Sequence, residues 1–160
     1  MSLDMKKSII YLFPIGSIIS ITLALLFPIL RYEVSPSQFY PFWFWGFPYL
    51  PLFEINILDI PHKIISLIIV SLIVLLTSSI FLLRKYPNRL KIISNIWFWA
   101  GIGIIILIFL WILSWNIVVP FFAPYGFIFE FVIILPFVSG LLLIFGRIYF
   151  VRICAERTKE

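Results

Sequence analysis

The sequence predicts an all-α fold: an integral membrane bundle of four transmembrane helices, forming one domain over residues 1–160. Three observations predict it. The chain is 63% hydrophobic and 12% charged, with a mean hydropathy of +1.16, more apolar surface than a water-soluble core of this size hides. Its apolar residues fall into four long uncharged runs, each able to cross about 30 Å of hydrocarbon. Its charges collect where those runs end.

The first span is expected over residues 9–30, about 33 Å at 1.5 Å per residue. Lys6 and Lys7 precede it, but the run is too long for a signal peptide, and no A-x-A-like site follows. Pro14 is expected near its first turn and Pro28 near its end, where proline does least harm. The second span, 60–83, opens at "DIPHK". Pro61 suits a first turn, and Asp59 suits the positive helix end. The short polar "KYPNRLK" makes the third span, 90–118, its antiparallel neighbour. The fourth is expected over 125–150, with Pro136 in "ILPFVSG" kinking it in mid-span and Ser139 and Gly140 leaving room for another helix.

Ten of the twelve basic residues lie at the amino terminus, in the second connection or in the tail. The positive-inside rule then puts both termini in the cytoplasm of a cell-membrane protein, with connections 31–59 and 119–124 outside. Basic charge spread over helix ends, without a soluble module, argues against a nucleic-acid partner. The single cysteine, Cys154, excludes an intrachain disulfide.

The first outer connection contains "FYPFWFWGFPYLPLF". Such a loop is expected to cap the bundle with an aromatic lid at the headgroup level, using Trp43, Trp45 and Tyr49 with Trp115 and Tyr125 from the far side. Strand pairing within "SQFYPFWFW" suits its aromatic content, while the prolines oppose long regular pairing.

Glu130, in "FIFEFVIILP", is the polar residue in the costliest place. With a helix starting near Pro124 it lies about 9 Å along the axis. A carboxylate there is neutral, paired or reached by water, unless the helix starts later and leaves it interfacial. Glu54, Asp59 and His62 share its side of the membrane, so the four form a candidate polar or ligand site. One histidine and one cysteine make a poor inventory for a soft metal, and no metal centre is expected. HExxH, P-loop, GxSxG and dinucleotide-glycine motifs are all missing, so no catalytic residue is assigned.

In outline the layout resembles the claudin-type tetraspan family: a long first outer loop, a short inner turn, a shorter second outer loop. "WFWGF", Trp43 to Phe47, echoes that family's W…GLW loop motif, but its glycine follows both tryptophans and its cysteine pair is missing. The resemblance implies a homo-oligomeric channel or contact protein. The layout is equally similar to small four-span quinone-linked respiratory subunits, which implies a quinone or lipid pocket near Glu130. The leading expectation is a non-catalytic accessory subunit of a larger membrane complex, respiratory among other settings. It would take other membrane subunits or itself, and membrane lipids, as partners, with no cofactor beyond a quinone or bound lipid.

Overall fold

A computed structural model of the chain describes residues 3–35, 38–43, 60–86, 89–122 and 127–157. Four helices carry the fold: α1 (Leu3–Leu26), α2 (Ile60–Lys85), α3 (Leu90–Phe122) and α4 (Ile134–Arg157). Each contains a stretch long and apolar enough to span a bilayer. The chain is a multi-pass membrane four-helix bundle.

Helix ends follow local chemistry. α1 stops at Leu26, two residues before Pro28, because the residue preceding a proline is pushed out of the α region. Its other end begins earlier than the apolar run requires, so Pro14 lies within the helix and is buried there. The amide lost at Pro14 is tolerated because neighbouring helices cover that turn. α2 ends at Lys85, just short of Pro87, and Tyr86 donates its N–H back to Leu82 O at 2.8 Å. α3 runs on to Phe122, through most of the expected 119–124 connection. Its 33 residues reach roughly 50 Å, well beyond the hydrocarbon thickness.

Neighbouring helices run antiparallel, and α4 packs between α1 and α3. Close backbone approach makes this packing. A Cβ built on Gly101 would stand 2.6 Å from Gly140 O, and one on Gly140 would stand 2.8 Å from Gly101 O. The two backbones touch through the only residue type that permits it. In lipid, where apolar burial between helices gains little, such van der Waals contact is a main source of association. On the α1 side, Phe13 covers Gly146 and meets Tyr149 with ring centroids 5.7 Å apart. Trp97, Trp111, Ile69, Leu76, Ile104 and Ile108 fill the middle of the bundle, all fully buried. α2 leans on its neighbours along one side and leaves Leu67, Val74 and Phe81 exposed.

Above the helices sits a three-stranded antiparallel sheet in the order β2-β1-β3: β1 (Leu30–Ser35), β2 (Gln38–Phe42) and β3 (Phe127–Phe129). It joins the two loop-side connections. β1 pairs with β2 as a local hairpin, Leu30 opposite Phe42, and with β3 across the chain, Leu30 opposite Phe129. The antiparallel α1–α4 pair thus continues upward as the β1–β3 pair.

β3 changes the start of span four. Residues 127–129 are drawn into a strand by their pairing with β1, one 3-10 turn follows (Phe131–Ile133), and α4 begins at Ile134. The expected start at 125 is corrected accordingly. Pro136 is the third residue of α4, not a mid-span residue. In a first turn its missing N–H forfeits no helical bond, so the expected mid-span kink has no basis there.

Candidate functional site

The joint between sheet and helices holds the residue singled out as most expensive. Glu130 lies between β3 and the 3-10 turn, outside α4, with extended backbone (φ −77°, ψ 153°). Its N–H donates to Ile29 O at 2.8 Å, and its own carbonyl accepts from Ile133 N–H at 3.1 Å. Its carboxylate pairs with Arg31, Nε to Oε1 2.5 Å, with the two side chains 56% and 28% exposed for Arg31 and Glu130. The site 9 Å inside span four is therefore replaced by an interfacial ion pair. Glu130 is half-buried over a buried Ile29, tied to the strand that follows α1. Ile128, the register partner of Arg31, is exposed beside it, as is Phe131.

The other expected members of this site fall largely outside the described residues. Glu54 and Asp59 lie outside those residues. His62 falls in the first turn of α2. No group of three histidine, cysteine, aspartate or glutamate side chains converges among the described residues.

Of the residues expected in the aromatic lid, Trp43 is described with a bond of its own. Trp43 donates its indole N–H to Leu26 O at 3.2 Å, satisfying one of the carbonyls that the end of α1 leaves without a helical partner. Trp45, Tyr49 and Tyr125 lie outside the described residues. Trp115 lies on α3, four turns or more beyond the core indole of Trp97.

Among the described residues the buried polar side chains of the spans are serines, and hydrogen bonding explains the burial of Ser17, Ser79, Ser94 and Ser139. Ser17 on α1 and Ser139 on α4 meet Oγ to Oγ at 2.7 Å, both fully buried. Ser79 Oγ donates to Leu76 O at 2.6 Å and accepts the indole N–H of Trp97 at 2.8 Å. Ser94 Oγ donates to Lys91 O at 2.9 Å and accepts from Arg147 Nη1 at 3.3 Å. A hydroxyl that donates to its own helix still has lone pairs for a neighbour, so each of the last two serines links helices without an orphaned group. The guanidinium of Arg147 also lies 5.7 Å from the Phe150 ring centroid. These are structural ties between helices, and they fix the antiparallel register: 79 against 97, 94 against 147, 17 against 139.

Small residues at 101, 139 and 140 suit close packing from sequence alone, while the pairing of Ser139 with Ser17 and of Gly140 with Gly101 emerges only in the fold. Trp97 and Trp111 likewise emerge as core residues only there. One signal was present for Trp97. Across a short turn between antiparallel helices, residues equally far from the turn face each other, and Ser79 and Trp97 are so placed.

No family model matches the chain, and comparison with curated proteins and with solved structures finds no match.

Proposed function

We propose that the chain is a non-catalytic subunit of a larger assembly in the cell membrane, with both termini cytoplasmic and the sheet outside. The orientation rests on the nine basic residues that, among the described ones, lie toward the end of the bundle opposite the sheet. One observation carries the functional reading: the bundle axis is filled by its own side chains, while broad faces are presented outward. Trp97 and Trp111 occupy the middle, and the backbones of α3 and α4 touch at Gly101 and Gly140. Outward-facing residues include Phe81 on α2, Phe109 on α3, and Ile128 and Phe131 at the sheet joint. A bundle of this kind acts through its surface. At the joint, the exposed apolar pair beside the Arg31–Glu130 charges offers a partner both contact area and orientation.

Site-specific photocrosslinking tests this reading. A photoreactive phenylalanine analogue placed at Phe131 and at Phe81 is expected to trap the same defined protein partner in native membranes. Adducts to lipid or to a second copy alone would overturn it; the second of these would move the assignment to a homo-oligomeric contact protein.

A further inference from the structure

We propose that the open groove between α2 and α3 seats one acidic glycerophospholipid, headgroup at the α2–α3 turn and acyl chain along α3. The groove has a volume of about 470 Å³, with Leu72 and Leu75 forming its α2 wall. Its α3 wall is made of two adjacent ridges, Ile92, Ile96 and Ala100 along one and three further residues along the other. Asn95, Trp99 and Gly103, spaced four residues apart, make that second ridge, and Lys91 continues the same spacing toward the α2–α3 turn. Read from the turn inward, that ridge presents a cation, a carboxamide, an indole and a gap. The order matches the phosphate, glycerol oxygens and hydrocarbon of a phospholipid. From Lys91 to Gly103 the rise is roughly 18 Å, close to one leaflet, half of a hydrocarbon core about 30 Å thick.

Each position adds a separate reason. Asn95 is exposed within the apolar span and its amide has no hydrogen-bond partner among the described residues. It sits about 6 Å farther from the turn than Lys91, at the depth where glycerol oxygens accept hydrogen bonds from an amide. Trp99 is 66% exposed, and a Cβ on Gly103 would meet nothing within 4 Å. On either side of the α2–α3 turn, Arg84, Lys85, Arg89 and Lys91 are all exposed, and no acidic side chain pairs with them among the described residues. Lys85 and Arg89 both gather on the Tyr86 ring, at 5.4 and 5.5 Å. Such a basic cluster at a helix–helix groove favours an anionic headgroup. It disfavours a second copy docked in parallel, which would bring four more cations to the same level. This inference does not depend on the subunit reading.

The test uses the full chain reconstituted in nanodiscs of equal parts phosphatidylglycerol and phosphatidylcholine, followed by native mass spectrometry of the released protein. One phosphatidylglycerol is expected to stay on each chain in preference to phosphatidylcholine. Lys91→Gln and Arg89→Gln should each lower that preference about fivefold. Gly103→Leu, which projects into open space, should abolish retention while leaving thermal unfolding in detergent unchanged; if it fails to fold, Asn95→Leu with Gly103→Ala takes its place. Equal retention of the two lipids would overturn the proposal. So would full retention in the groove-filled variant, which would mean headgroup attraction alone. Crosslinking of two copies through a photoreactive group at position 99 would overturn it in favour of self-association.

Discussion

Glu130 is tied twice, once through its carboxylate and once through its backbone, and the two ties differ in weight. The ion pair to Arg31 is open to water or headgroups on the Arg31 side, and pairs so exposed contribute up to about 1 kcal/mol. The N–H bond to Ile29 O lies over a buried residue, and leaving a buried carbonyl unpaired costs about 1–3 kcal/mol. Glu130→Gln should therefore lower stability by less than about 1 kcal/mol. Glu130→Pro, whose ring suits the φ of −77° but removes the donor, should cost more than Glu130→Gln. Thermal unfolding in detergent of the two variants checks this; a larger loss from Glu130→Gln would show that the charge, not the backbone, holds the joint. The same residue marks what sequence could convey. A carboxylate in an apolar run was legible as a problem needing a partner. Its solution was not, because Arg31 is 99 positions away and meets it only when β1 pairs with β3. Ser17 and Ser139 were equally hidden, 122 positions apart. Interhelical bonds of this kind in membranes contribute about 0.6 kcal/mol on average, up to about 1.7.

At the scale of elements, the four helices were legible and the sheet only half so. Apolar length alone marks a span, and that signal survives errors of several residues at either end. β1 and β2 carry strand-forming aromatics, yet Pro41 and the short length obscure them. β3 is three residues inside what reads as one continuous apolar helix, so nothing local separates it from α4. Pro136 was misplaced for the same reason. Helix packing gives a sharper test than helix existence. Gly101→Ala and Gly140→Ala each drive a Cβ into a backbone oxygen, which cannot yield as a side chain tip does. Each should cost about 1–3 kcal/mol. Gly103→Ala meets nothing within 4 Å, and alanine is the better helix former by about 1 kcal/mol, so it should leave stability unchanged or raise it. Melting temperatures of the three variants separate these outcomes. A uniform loss in all three would deny the α3–α4 backbone contact.

At the scale of the molecule, topology and assembly remain the functional questions. Nine cations among the described residues lie toward one end, which predicts that end to be cytoplasmic. In a Cys154→Ser background, a cysteine at Gln38 should react with a membrane-impermeant maleimide applied to intact cells, and one at Asn88 should react only after lysis. The reverse pattern would invert the molecule. What the sheet adds to this picture is a tie between the two loop-side connections and the α1–α4 pair. On the subunit proposal this bundle, closed along its own axis, works as part of something larger. Purification from native membranes in mild detergent, with native mass spectrometry of everything that co-migrates, tests it most directly. The account predicts the 18.8 kDa chain in a fixed stoichiometry with other membrane proteins. A species containing only multiples of that mass, with no second polypeptide, would contradict it.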